Sequence, residues 1–583
     1  MNAGSTGPAS PPGGAGAGRP RRLRVWVTLG TLAGVIACTL LVAFGAEAVV
    51  SRASCTAHPT QVRVATSPDI APAIRHVATF FNAQHQRADG HCVAVRVVSD
   101  PSATAAAQVA NSGTAFDAWI PDSSLWIDVA RSSPAGAQVV RPSGLTVATS
   151  PLAIVMPRSV AAQMPAFGSS VGWQFLLPQS VGGPAAELGL HVEFPDPAQN
   201  SAGLASLIEL QQQLGNGPAA LADIAKFVFN VQVTKSSGTA ALATLASLAQ
   251  PPRDQRPVTV ATEQAVAQFD RAHPAAPLAV RYPARGTYQL SYPYVLTSSD
   301  TLKFKAATAF ESALRSHYAA AYVQYEGFRS ATGTAPGWIA QYGLSTARPA
   351  LSPAAAPGEA QTSLQAWQRL GLGSRDLVLF DTSAVMATPV APGGPTVEQV
   401  LSEAALGGLA QFPDSTQLGD WAFASHLNGS QPYKEIVPLG PLSAPLGLIT
   451  RRQEAARVVQ TLKPVPGAPA ALYSSILAAF RQMTATYQNR YNNAVLVLTA
   501  GVDNAPGDIS PAQLVQQLHK LFNPRHRVEI IVLMFGNAGN FKALQQISSV
   551  TGGQAFQLAN PAQISKVFFE GIARRLCQPN CAG

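Results

Sequence analysis

The sequence predicts an α/β protein: an N-terminal transmembrane helix, then two modules in which strands alternate with amphipathic helices. Three observations predict it. Val25 to Val50 is almost wholly apolar, short apolar runs alternate with amphipathic segments from Val62 onward, and the alternation resumes after a Pro/Ala stretch at 346–362. At 583 residues the chain is too long for one ordinary domain of about 100–200 residues. Hydrophobic residues at 47% and charged residues at 12% exclude a disordered polyelectrolyte. The 47 Gly and 46 Pro follow no triplet repeat, which excludes collagen.

Residues 1–24 form a Gly/Ala/Pro/Ser tail without periodicity, expected to be disordered, that ends in a basic cluster. The run 25–50 is interrupted only by Thr, Gly, Cys38 and Glu47, and it meets the roughly 20 residues a spanning helix needs. Arginines before it and few after it put the tail in the cytoplasm and everything beyond Val50 outside, so the chain reads as a single-pass cell-membrane protein. The competing reading is a cleaved signal peptide, with Ala46-Glu47-Ala48 as the cleavage site; the length of the apolar run favours an anchor. Four of the nine net positive charges come from Arg19, Arg21, Arg22 and Arg24. The remainder is an ordinary solvated surface, so no nucleic-acid partner is expected.

With Cys38 in the membrane, Cys55, Cys92, Cys577 and Cys581 remain outside. Four cysteines allow three connectivities, and sequence proximity favours Cys55 with Cys92 and Cys577 with Cys581, in keeping with an oxidising compartment. Zinc is the alternative, but C-x3-C without a second pair or a histidine cluster is poor zinc spacing.

In the first module the order is strand (VRVAT), helix (Ile70 to Gln84), strand (CVAVRVV), an Ala-rich helix and strand (FDAWIP), which argues for a parallel sheet. Ser67-Pro68-Asp69 lies at the first strand–helix turn. Ser67 or Asp69 can cap that helix, and the free N–H groups there can instead hold an anionic or polar ligand, although Asp69 would repel an anion. The succession VRVATSPDIAPAIRHVATFFN, HCVAVRVVSDPSATAAA, FDAWIPDSSLW, SPLAIVMP, EFPDPAQNSAGLASL, VRYPARGTYQLSYPYVL, AFESALRS and GFRSATG resembles the extracellular solute-binding proteins of ABC-type transporters, from about Cys55 to Thr334. The resemblance implies a periplasmic-binding-protein-like domain over 55–345. Its two lobes would be joined by hinge strands near Pro151–Pro157 and Tyr292–Leu296, with a small solute between them. It further implies a cleft lined by Ser67, Ser102, Thr104, Asp122, Ser123, Asn200 and Ser201. Those residues are hydroxyls, amides and one carboxylate without an arginine clamp; Arg281 and Arg285, beside a proline turn, read as surface residues.

Residues 346–362 read as a semi-stiff spacer. Beyond them come a short helix at Leu364–Leu370, strand DLVLFD, a helix from Thr396, strand WAFASH, helix Ala470–Gln488, strand AVLVLTAG, helix Pro511–Phe522, strand RVEIIVLMFG, a helix from Asn540, strand QAFQLA and helix Ile564–Leu576. This alternation predicts a doubly wound, Rossmann-like sheet over 363–577, followed by a short tail at 578–583. The strings VLFDTSAVM, GDWAFASHLNGSQPYKEIVPLGPL, PAALYSSILAAF, VLVLTAGVDN and VTGGQAFQLANPAQI resemble the von Willebrand factor A domain fused to a solute-binding module in actinobacterial membrane proteins.

In that family an Asp-x-Ser-x-Ser loop, a Thr and a second Asp hold a divalent cation. Here Asp381 and Ser383 match, but Val385, Ala470 and Ala500 stand at the other three positions. Magnesium demands near-octahedral oxygen ligation, so the remnant Asp381–Ser383 motif predicts no metal, and no other cofactor is expected. No H-E-x-x-H, Walker loop or S-x-x-K is present. The sequence therefore predicts a non-enzymatic, membrane-anchored extracytoplasmic binding protein, with one solute module and one protein-interaction module. The alternative is the substrate-binding component of an ABC-type transport system.

Overall fold

The computed structural model describes residues 59–113, 115–163, 171–177, 188–215, 218–234, 239–247 and 256–558, and parts of 560–573. The predicted anchor at 25–50 and the cysteines 38, 55, 577 and 581 lie outside them. Among the described residues no helix is long and apolar enough to cross a membrane. Cys92 is disulfide-bonded.

The first module is a ten-stranded sheet. Its strands are β1 (Thr60–Thr66), β2 (Arg87–Ala88), β3 (His91–Ser99), β4 (Ala118–Ile120), β5 (Arg141–Pro157), β6 (Leu190–Pro195), β7 (Gln232–Thr234), β8 (Arg256–Thr262), β9 (Leu278–Arg281) and β10 (Gln289–Leu296). One lobe has β1 parallel to both β3 and β4; the other has β6 parallel to β7 and β8. Antiparallel β5 and β10 join them, so the sheet is mixed where the alternation alone predicted a parallel one. The reason lies in β5, whose residues from Val147 to Pro157 are all buried. Its first half pairs with β10 and its second half with β8 and β9, so one strand enters both lobes. Pro293 has no N–H to give the ladder, and the β10 register shifts on both sides of it.

The crossing region is held by a buried ion pair. Arg329, 1% exposed, donates through Nε and Nη2 to both oxygens of Glu263 at 2.8 Å each, and its Nη2 also reaches the carbonyls of Ser345 and Ala347. Its backbone exchanges two hydrogen bonds with Thr149 on β5.

Residues 346–362, expected to be a spacer, are tied to the first module. Thr287 bridges to Leu351, and Ser352 Oγ donates to Glu209 at 2.9 Å. The helix Glu359–Gly371 starts inside that stretch and crosses the boundary expected at 363. Its stripe of Ala360, Leu364, Trp367 and Leu370 joins the hydrophobic core of the first module. It packs against Leu125–Arg131 of one lobe and against Ser201–Leu214 and Pro218–Asn230 of the other.

The second module has β11 (Gly373–Asp381), β12 (Gln417–Asn428), β13 (Gln431–Pro441), a two-stranded ribbon of β14 (Pro445–Leu446) and β15 (Ile449–Thr450), then β16 (Tyr491–Thr499), β17 (Val528–Phe535) and β18 (Ala555–Leu558). The main sheet runs β13-β12-β11-β16-β17-β18, parallel except for β13 at the edge. Side chains alternate across it: Leu377 and Leu379 pack under Leu472–Ala485 and Pro511–Leu521, while Val378 and Phe380 pack under Val397–Gln411. Helices thus cover both faces, as the alternation predicted. The strand order reverses between β11 and β16, and the ends of those two strands carry Asp381 and Thr499.

Candidate functional site

A cavity of about 450 Å³ lies between the lobes of the first module. One lobe supplies Asp69, Ser102 and Asp122 from the loops after β1, β3 and β4; the other supplies Gln199 and Asn200 after β6 and Thr262 at the end of β8. Leu242, Val260 and Leu290 give it apolar wall, and Gln264, Gln268 and Glu326 close one side. Carboxyl ends of parallel strands facing helix N-termini form such crevices generally.

Local geometry explains each side chain. Asn200 caps the helix Ser201–Leu214, its Oδ1 accepting from Ala202 N at 2.8 Å and Gly203 N at 3.3 Å. Gly203 is required there, because a Cβ would sit 2.1 Å from the Pro195 carbonyl oxygen. Ser102 Oγ accepts from Asp122 N at 3.0 Å, which fixes the loop after β4 to the start of the helix Ser102–Ser112. Ser67 Oγ and the Ile70 N–H donate to Asp69 Oδ1, and the Tyr292 hydroxyl, on β10, donates to Asp69 Oδ2.

The electrostatics are acidic. Burial pushes the Asp69 carboxyl up, against the lowering effect of Ser67, Tyr292 and Ile70 N–H. Burial, and next the neighbouring Asp69, push Asp122 up to about 6, with Ser102 and Ser201 acting the other way. Asp122 Oδ1 is shielded from solvent and has no hydrogen-bond partner among the described residues. Burial and both carboxylates hold Tyr292 as the neutral phenol, so it remains a donor.

Of the residues named from the sequence, Ser102, Asp122 and Asn200 line the cavity. Ser67 supports Asp69 from behind it. Ser201 accepts from Trp126 Nε1 at 2.6 Å, a buried contact between the lobes, and Ser123 Oγ accepts from Leu125 N at 3.2 Å as a local turn. Thr104 is exposed on its helix and away from the cavity lining. Two residues beyond Ser102, it points about 200° around the helix axis. Arg281 and Arg285 are exposed, as expected. The lining residues Asp69, Gln199, Thr262, Gln264, Gln268 and Glu326 were not foreseen as ligand groups. Gln264 and Gln268 carried a signal, being four apart on one helix face.

At the strand-order reversal of the second module, Asp381 is 3% exposed. Its Oδ1 accepts from Ser383 N at 3.0 Å and Ser383 Oγ at 2.6 Å, and its Oδ2 from Thr499 Oγ1 at 2.7 Å. Burial pushes its carboxyl up. The carboxylates of the next loop face the helix Leu472–Ala485 instead. Asp503 Oδ1 accepts from Leu472 N at 2.9 Å, and Asp508 from the N–H groups of Tyr473 and Ser474 at 3.2 Å each. They satisfy amides that every helix leaves open at its N-terminus.

Residues 62–329 match the family model described as bacterial extracellular solute-binding protein, and residues 378–570 match the von Willebrand factor type A domain. Among solved structures the chain is similar to iron-bound HitA from Pseudomonas aeruginosa, at 12% identity over 54% of this chain and 100% of that one, with a TM-score of 0.39. It is similar to the sulfate-binding protein SubI from Mycobacterium tuberculosis H37Rv, at 18% identity over 50% of this chain and 93% of that one, with a TM-score of 0.36. A von Willebrand factor type A protein from Catenulispora acidiphila aligns at 17% identity over 35% of this chain and 43% of that one, with a TM-score of 0.27. No curated protein matches.

Proposed function

We propose that the chain is a membrane-anchored, extracytoplasmic and non-enzymatic binding protein. Its first module closes on a small solute, and its second engages a protein partner through the loops at the carboxyl ends of its strands, without a bound cation. The observation that carries the reading is the cavity of about 450 Å³ between two lobes joined by β5 and β10. Its size suits a small organic solute, since ligand pockets run to about 300–1,000 Å³. The anchor rests on the apolar run 25–50.

The donors around Asp381 do not fit a divalent cation. Both carboxylate oxygens already accept hydrogen bonds, and the Ser383 and Thr499 hydroxyls donate to that same carboxylate. Val385, Ala470 and Ala500 offer no side-chain oxygen, so water would have to supply most of a six-fold shell and affinity would be weak.

Two measurements test the proposal on the full chain in detergent. X-ray scattering with and without a panel of small solutes should show a more compact first module with at least one of them; an unchanged profile across the panel sinks the solute reading. Calorimetric titration with Mg²⁺ and Mn²⁺ should show no binding in the micromolar range, and micromolar binding sinks the cation-free reading.

A further inference from the structure

The two carboxylates of the cleft have no counter-charge. Asp69 and Asp122 lie on neighbouring loops of one lobe, close enough for the charge of Asp69 to raise the carboxyl of Asp122. No Lys, Arg or His is among the described residues lining the cavity. The third acid, Glu326, has Arg271 at 3.9 Å and accepts from Gln268 Nε2 at 2.8 Å, so it is partly neutralised from outside the cavity. Asp122 differs: no cation pairs with it among the described residues, and its charged form is favoured by hydrogen bonding from Ser102 and Ser201. A carboxylate on the cavity wall without a counter-charge is costly, and a binding site recovers that cost when the ligand supplies the opposite charge.

On the reading of this cleft as a solute site, we infer that it takes an organic cation, an ammonium or guanidinium group, seated against Asp122 with Asp69 behind it. An anion is disfavoured by two carboxylates in a poorly screened cavity. A bare metal ion is disfavoured by valence and size. Asp69 has both oxygens engaged by Ser67, Ile70 N–H and Tyr292, and one oxygen of Asp122 is shielded from solvent, so these carboxylates cannot supply the six to eight oxygens that Ca²⁺ takes. The cavity of about 450 Å³ also far exceeds one ion and accommodates a carbon skeleton against Leu242, Val260 and Leu290. An ammonium offers three donors and no acceptor, which matches a wall of carboxylate and amide oxygens.

The test is a thermal-shift and calorimetric screen of the full chain with three probe sets. These are ammonium and guanidinium compounds (diamines, triamines, choline, agmatine), oxyanions (sulfate, phosphate, citrate) and neutral sugars. The expected result is that at least one cationic probe raises the melting temperature and binds at one site per chain. In Asp122→Asn that response falls at least tenfold in affinity, while the ligand-free melting temperature rises because a buried repulsion is gone. Asp122→Ala, as a second variant, should lose the response as well. Binding of an oxyanion or sugar with no cationic response overturns the cation assignment and leaves the solute reading intact; silence across all three sets overturns both. A cationic response undiminished in Asp122→Asn also overturns the assignment, because the contact would lie elsewhere.

Discussion

Asp420 lies in mid-β12 at 1% exposure, beside an apolar cavity of about 110 Å³, and its Oδ2 has no hydrogen-bond partner among the described residues. Burial pushes its carboxyl up to about 8, from 3.8 in the unfolded chain. The folded state therefore holds a proton that the unfolded chain releases, and stability declines as pH rises through the window from about 4 to about 8. Asp420→Asn should remove this slope: in urea unfolding its gain over wild type should be larger at pH 8 than at pH 5. Equal gains at the two values would show that Asp420 does not titrate this way. Arg329 gives the opposite case, a charge fully matched. Arg329→Met leaves Glu263 buried and unpaired and should cost about 3–5 kcal/mol in a denaturant titration, part of which Arg329→Met with Glu263→Gln recovers. Neither feature was legible beforehand. An Asp inside GDWAFA reads as a strand residue of unknown face, and Glu263 is 66 positions from its partner. Polar strand-end residues were easier, because the loop after each strand is set by the alternation itself; hence Ser102, Asp122 and Asn200 were named and do line the cavity. From the sequence Asp69 reads as a helix cap or an anion-repelling group, which describes its charge correctly but not its place on the cavity wall.

At the scale of elements, the described strands and helices of the second module follow their hydrophobic periods closely, while the helix expected at 564–576 lies largely outside the described residues. Antiparallel β13, the β14–β15 ribbon and the helix Arg451–Thr461 are exceptions, and they occupy the stretch between WAFASH and the helix expected at 470–488, where no element is expected from the sequence. The helix Glu359–Gly371 shows what a period cannot tell. Its stripe at positions 360, 364, 367 and 370 was readable as a helix face, but nothing in the spacing says which module the face covers. The Pro/Ala composition before it suggested a free spacer and so assigned the helix forward. The partners decide otherwise: Trp367 Nε1 donates to Asp196 Oδ1 at 3.1 Å, its ring lies 6.1 Å from that of Phe194, and Ser363 Oγ donates to Gln211 at 2.6 Å. Trp367→Ala should therefore destabilise the first module, by about 3–5 kcal/mol as for other buried Trp truncations, although the residue lies beyond the family match to that module. Site-specific hydrogen exchange can separate the modules. Faster exchange confined to β11–β18 would mean that the helix serves the second module after all.

Across the whole molecule this helix leaves only Leu372 between the first module and β11, a central strand of the second. The stretch before it is equally committed, through the Thr287–Leu351 bridge, the Ser352–Glu209 hydrogen bond and the Ala347 carbonyl on Arg329. The first module as a physical unit thus extends to about residue 371, not to 345, and one of its helices rests on both lobes at once. Two fragments expose the difference. Residues 51–372 keep the helix, whereas 51–345 lose it along with the cover it gives Phe194. A loss of about 3–5 kcal/mol lowers the melting temperature by about 6–20 °C at about 2–4 °C per kcal/mol for 150–250 residues, and a module of this larger size falls toward the lower end. The shorter fragment should also bind a hydrophobic dye in its native baseline, because the apolar faces of Ser201–Leu214 and Pro218–Asn230 lose their cover. If the two fragments melt together and neither binds dye, the helix is an independent linker and the composition-based boundary at 363 is the right one.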